Sequence, residues 1–153
     1  MSVALDILKL KATKMLIIGD VMIDRYVFGN VNRISPEAPV PILHVQNSVD
    51  KLGGAGNVAL NLKMFSECVT LVSLHGLDTD GHQLVKMLEE NSIEFRPINK
   101  KNYRTIVKTR LVAQGQQILR LDFEDRHEPT INKEIIKNIK DDVDTFSAIV
   151  LSD

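Results

Sequence analysis

Apolar residues fall along this chain in short blocks whose spacing changes from one block to the next. Val3, Leu5, Ile7, Leu8 and Leu10 form a short amphipathic pattern that predicts a leading helix over 3–12. Met15-Leu16-Ile17-Ile18 is then a continuous apolar run closed by Gly19-Asp20. That is the pattern of a parallel strand covered on both faces, with polar groups at its carboxyl end. Val69-Thr70-Leu71-Val72-Ser73-Leu74 predicts a second core strand, and Ala148-Ile149-Val150-Leu151 a further buried one. Between the first two the chain changes character. Arg25–Gly29 and Val40–Val45 are β-rich, and Pro36, Pro39 and Pro41 exclude a helix and forbid central-strand pairing at their own positions. A small β flap with exposed edges follows, and such edges are often covered by a second copy of the chain.

Further along, residues 105–113 and 117–123 alternate round Gln114-Gly115-Gln116, which predicts a β-hairpin. Lys108 and Arg110 share one face of its first strand; Arg120, Asp122 and Ile118 share one face of its second. Those charges read either as cross-strand pairs or as a basic site for a sugar phosphate. Helical spacing appears in Val58, Leu62 and Phe65, in Leu84, Val85 and Leu88, and over Ile131–Ile139, while Asn91–Pro97 leaves a helix and starts a strand. The order predicts an α/β layered core with a β appendage.

The stretch Lys51-Leu52-Gly53-Gly54-Ala55-Gly56-Asn57 carries three glycines in four positions and precedes a helical pattern. Glycines there permit unusual dihedrals or close approach, and a helix start offers free N–H groups. A packing turn and a ligand cradle are both open readings; neither the dinucleotide fingerprint nor the phosphate loop is present. Asp20 and Asp24 stand beyond the carboxyl end of the first strand, where ligands of open α/β sheets sit. In Gly76-Leu77-Asp78-Thr79-Asp80-Gly81, Asp78 or Asp80 caps the next helix; a calcium loop is disfavoured because Glu89, at its twelfth position, lies on a helical pattern. His44, His75, His82 and His127 are scattered, with only His75 near the presumed site.

Composition narrows the class without choosing within it. The 153 residues suffice for one domain with a core, and the net charge of −1 gives no basic surface for nucleic acid or an anionic membrane. Cys68, the single cysteine, reads as a buried structural thiol, and no zinc-ligand spacing occurs. No apolar run reaches membrane-span length, so a cytoplasmic protein is expected. A final core strand with nothing after it suggests a fragment.

The succession of Gly19-Asp20 and Asp24, then Gly53-Gly54-Ala55-Gly56-Asn57 with its helix, then Gly76–Gly81, resembles the ribokinase-like (PfkB) carbohydrate kinases. More narrowly, Arg33-Ile34-Ser35-Pro36-Glu37-Ala38-Pro39-Val40-Pro41 and the hairpin Lys108-Thr109-Arg110 with Leu119-Arg120-Leu121-Asp122 are similar to heptose-7-phosphate kinases. In many bacteria these form the first domain of a bifunctional enzyme making ADP-heptose for lipopolysaccharide. The resemblance covers 14–153 and implies a ribokinase-like α/β core over 14–24 and 50–153, with lid segments at about 25–48 and 104–123. It implies Asp24 as the carboxylate for sugar hydroxyls and Gly53, Gly54 and Asn57 as the turn closing round the sugar. Lys108, Arg110, Arg120 and Arg33 are the local cations for a substrate phosphate. Family members use ATP and Mg, and their nucleotide site and catalytic aspartate follow the strand that ends at Asp153. The resemblance therefore assigns no catalytic or metal residue to this chain, only its sugar-binding and lid half, and implies a homodimer through the lid. A non-catalytic sugar-phosphate-binding or dimerisation module, or another ribokinase-like kinase of sugars or nucleosides, are the alternatives.

Overall fold

A computed structural model of the chain describes residues 13–99, 102–125 and 131–152; the leading helix expected at 3–12, and Asp153, lie outside them. Two four-stranded sheets divide the described residues. The core sheet has the order β5-β4-β1-β8, from β1 (Lys14–Gly19), β4 (Cys68–His75), β5 (Glu94–Asn99) and β8 (Ala148–Ser152). Every neighbouring pair in it is parallel. Leu16 and Ile17 explain why such strands read as unbroken apolar runs: they point to opposite faces, and both are buried. Ile17 and Leu71 pack with Ala55 and Ala59 of α1 (Ala55–Lys63) and with Leu84 and Leu88 of α2 (Thr79–Glu90). On the other face Leu16, Val72 and Leu74 pack with Ile135 and Ile139 of α3 (Ile131–Ile139), and with Phe146.

The second sheet has the order β3-β2-β6-β7. Its strands are β2 (Val21–Ile34), β3 (Pro41–Gly54), β6 (Val107–Ala113) and β7 (Gln116–Phe123). β2 is central, antiparallel to β3 and parallel to β6, while β6 and β7 form the expected hairpin. The flap is thus longer than its apolar segments suggested: two strands of 14 residues joined through 35–40. Pro36 and Pro39 lie in that connection, and Pro41 opens an edge strand, where a missing N–H costs least. The sheet is rooted in the core, because Val21, Ile23, Leu52 and Val107 are buried in one cluster with Ile17 and Leu71.

Several expectations change. The glycine-rich stretch is not one turn; Lys51–Gly54 finish β3, and the chain turns only at Gly54. The α1 face packs through the small residues Ala55, Gly56 and Ala59, with Val58 and Leu62 of the expected pattern partly buried beside them, while Phe65 falls beyond the helix and is exposed. A Cβ on Gly56 would stand 3.0 Å from Val21 Cγ2, so close helix–strand packing selects glycine there. Cys68 is exposed, because the buried place at this bend goes to Ser66, whose hydroxyl accepts the Cys68 N–H at 3.2 Å. β8 is an edge strand, not a buried one: it pairs only with β1 among the described residues, and Leu151 is 78% exposed. In the hairpin Ile118 falls at a register shift, out of line with Arg120 and Asp122.

Candidate functional site

The pairing register of the second sheet assembles the site. Residues directly opposite one another across strands share a face. One row runs Lys51, Asp24, Lys108, Asp122 and the next Val49, Tyr26, Arg110, Arg120. A third is Asn47, Phe28, Val112, Gln117. One face therefore holds four cations and two carboxylates in its first two rows, an excess of two positive charges beside the aromatic pair Tyr26 and Phe28. Tyr26 and Phe28 stack with centroids 6.2 Å apart, and Lys51 Nζ lies 5.2 Å and the Arg110 guanidinium 5.3 Å from the Tyr26 ring. A cavity of about 470 Å³ opens on this face, lined by Tyr26, Phe28, Val49, Lys51, Val112 and Gln117.

Asp24 sits in the root row. Arg110 Nη1 donates to its Oδ1, and that bond outweighs burial to hold the guanidinium above its usual pKa. Gly53 lies beside the same carboxylate, since a Cβ there would come within 2.6 Å of Asp24 Oδ2. Its missing side chain is what leaves room for Asp24. Gly54 adopts φ +54°, and a Cβ would meet the Asp20 carbonyl oxygen at 2.3 Å. The same carbonyl accepts the Ala55 N–H at 2.9 Å, so this glycine lets the chain turn from β3 into α1 against the end of β1. Asn57 stands exposed in the first turn of α1.

The structure thus brings Asp24, Gly53, Lys108 and Arg110 together. Arg120 is in the adjacent row but turns to Asp122, which it holds through two bonds of 2.8 and 3.0 Å. Arg33 is exposed at the far end of β2. Lys51 and Tyr26 share the Asp24 face and line its cavity, and spacing alone missed them. Only the register of β2 with β3 places Lys51 opposite Asp24, though its place at the lip of the glycine stretch was a usable signal. Asp78 caps α2, accepting the Gly81 N–H at 2.7 Å. Burial pushes its pKa up, but bonds from the Thr105 hydroxyl and N–H and from Gly81 prevail and hold the carboxyl below the usual range. His75 is buried, its ring 5.4 Å from that of Phe95 and its Nδ1 2.7 Å from the Gly76 carbonyl; it packs.

Among the described residues, no three His, Cys, Asp or Glu side chains gather to hold a metal ion, and no helix is long and apolar enough to cross a membrane. The profile described as pfkB family carbohydrate kinase matches residues 12–153. The chain is 41% identical over 143 residues to "Bifunctional protein HldE" of Haemophilus influenzae, covering 94% of this chain and 30% of that protein. It is 40% identical over 145 residues to the protein of the same name in Actinobacillus pleuropneumoniae serotype 5b, covering 95% and 30%. The chain therefore spans about 30% of the length of the curated relatives it matches. Among solved structures, phosphofructokinase-2 from Escherichia coli in complex with fructose-6-phosphate superposes with a TM-score of 0.68 at 17% identity, over 92% of this chain and 45% of that one. That likeness carries the fold.

Proposed function

The chain belongs to the pfkB family of carbohydrate kinases, and from that premise we propose that it forms the sugar-binding and lid portion of a heptose-7-phosphate kinase. The reaction is phosphorylation at C1 on the way to ADP-heptose for lipopolysaccharide. One observation carries the reading: a carboxylate, Asp24, flanked by Lys51 and Lys108 in one row and bonded to Arg110 in the next. Carboxylates suit sugars because each oxygen accepts from neighbouring hydroxyls, and charge-assisted bonds are the stronger kind. A phosphomonoester carries about −1.5 to −2 charges near neutral pH, which the two surplus cations of this face balance. The identity to the HldE proteins supports the choice of a heptose among sugars.

In the reaction class, the sugar hydroxyl attacks the γ-phosphorus in line, a new P–O bond forms, and the bond to ADP breaks. ATP with Mg supplies the phosphoryl group. Among the described residues the carboxylates do not gather into a metal site. This chain's own residues bind and orient. Asp24 fixes the sugar, Lys51, Lys108 and Arg110 hold charge at its phosphate end, and the lid sheet sheds water that would otherwise accept the phosphoryl group. A reaction that draws on ATP supports a cytoplasmic setting.

The opposite face of the lid supports a homodimer. Val27, Leu111 and Leu119 form an apolar row there, and Leu119 and its neighbour Leu121 are 50% and 40% exposed. A phosphotransfer assay of the intact protein with ATP and a panel of heptose 7-phosphate, unphosphorylated heptose and fructose 6-phosphate tests the assignment. Preference for heptose 7-phosphate by about tenfold or more, the weight of one charge-assisted contact, supports it. Turnover of fructose 6-phosphate alone would replace it with another kinase of the family.

A further inference from the structure

Arg25 follows Asp24 on β2 and points to the other face of the sheet. Its Nε and Nη2 donate to Asp50 Oδ1 and Oδ2 at 2.8 and 2.9 Å, a bidentate pair across β2 and β3. The same Nη2 also donates to Asp80 Oδ1 at 2.9 Å. Asp80 belongs to the first turn of α2, an element of the core. All three side chains are largely shielded, with exposures of 30%, 20% and 34%. The Asp50 bonds, helped by Asp80 and opposed by burial, hold the guanidinium above its usual pKa. Past this contact the sheet and the helix separate. A cavity of about 680 Å³ is lined by Arg25, Ser48 and Asp50 on one side and Gln83, Met87 and Glu90 on the other.

The turn that receives Arg25 also holds the second way into the lid. Asp78, two residues earlier, accepts the Thr105 N–H at 2.9 Å and the Thr105 hydroxyl at 2.7 Å. The Thr105 oxygen in turn accepts the Gly76 N–H at 2.9 Å. Thr105 is buried and leads within two residues into β6, the strand of Lys108 and Arg110. The Gly76–Gly81 turn therefore grips β2 and β3 through Asp80 and the approach to β6 through Asp78. The segment is a fitted joint: a Cβ on Gly81 would stand 2.0 Å from the Gly76 carbonyl oxygen, so backbone closes on backbone.

We propose that Arg25 is a positioning residue of the substrate site, clamping the root of the lid sheet to the first turn of α2 and so setting where Asp24 presents its carboxylate. The link to Asp24 rests on the sugar-kinase reading above; the clamp itself does not. A lone exposed ion pair would hold little, but a bidentate, partly shielded pair with a third bond is a stiffer geometry. The apolar root beneath it, Ile23 with Leu52 and Val107, keeps the sheet attached, so loosening the clamp changes the lid's angle and not its fold.

The test compares Asp80→Asn, which takes the charge out of the bond to the helix, with Asp80→Glu, which keeps a carboxylate there. Amide hydrogen exchange of the intact chain reads the clamp. In Asp80→Asn, exchange in β2, β3 and β6 should speed up by about tenfold, with β1 and β4 unchanged, as local opening without global unfolding requires. Asp80→Glu should restore most of the protection. Calorimetry with heptose 7-phosphate should then show binding to Asp80→Asn weakened by about five- to tenfold at an unchanged melting temperature. Exchange that rises equally in both sheets, or in neither, overturns the clamp. Lid exchange that rises while sugar-phosphate affinity stays at the wild-type value overturns the positioning role. If the wild-type chain binds no sugar phosphate, the functional reading fails, and the exchange pattern still decides the clamp.

Discussion

The two sheets share a root but live by different rules. In the core sheet both faces are covered, so β1 and β4 carry Leu16 and Ile17, or Leu71 and Val72, side by side, all fully buried. In the lid sheet one face holds Asp24, Tyr26 and Arg110 and the other Arg25, Val27 and Leu111, and little beyond the root is buried. What the difference teaches is where chemistry can be kept. A strand covered on both sides has no place for an unpaired charge, because burying one costs more than packing returns. A strand with an open face can line up four cations and two carboxylates at small cost. The core supplies rigidity at Val21 and Leu52, and the lid places its charged rows directly above them.

The contrast breaks most sharply by truncation. Leu84→Ala removes a fully buried side chain between α2 and the core sheet and should cost about 2–5 kcal/mol in urea unfolding, since a cavity remains. Leu119→Lys, on the exposed lid row, should move stability by only about 0.5 kcal/mol or less. It should nevertheless turn a dimer into a monomer in light scattering. Equal stability losses would mean that the lid is as tightly built as the core, and a persisting dimer would remove the lid interface. A smaller effect sharpens the comparison within the charged face. Lys51→Met keeps an unbranched apolar stem over Tyr26 but drops the charge, and should weaken heptose 7-phosphate binding by about tenfold, roughly 1.4 kcal/mol, with little change in unfolding. Arg120→Met should change binding less, because Arg120 already spends its charge on Asp122.

The same contrast explains what could be read from the residues alone. Covered strands announce themselves as apolar runs, so β1 and β4 were legible to within a residue or so, as was the amphipathic α3 with its one wet face. β8 was legible as a strand but not as an edge, since an apolar run does not say what covers it. The length of β3 was hidden because Gln46–Ser48 is polar on both faces of an open sheet, where nothing forces alternation, and that of β2 because Gly29, Asn30 and Asn32 are weak strand formers. Asp24 could be picked out by its place after the first strand. Lys51 and Tyr26 were harder to see, because their value lies in a register that pairs Lys51 with Asp24, 27 residues earlier, and Tyr26 with Arg110, 84 residues later. The glycines were legible as special but for a different reason at each place: Gly54 for its positive φ, Gly53 for the room it leaves Asp24.

The central claim is that the Asp24 face of the lid sheet is where a sugar phosphate binds, and calorimetric titration of heptose 7-phosphate into the wild-type chain and Asp24→Asn tests it most directly. Asn keeps the shape but gives up the charge that hydroxyls and Arg110 bind, so the account predicts affinity lower by about tenfold to a hundredfold, with the melting temperature nearly unchanged. Wild-type affinity in Asp24→Asn would contradict it.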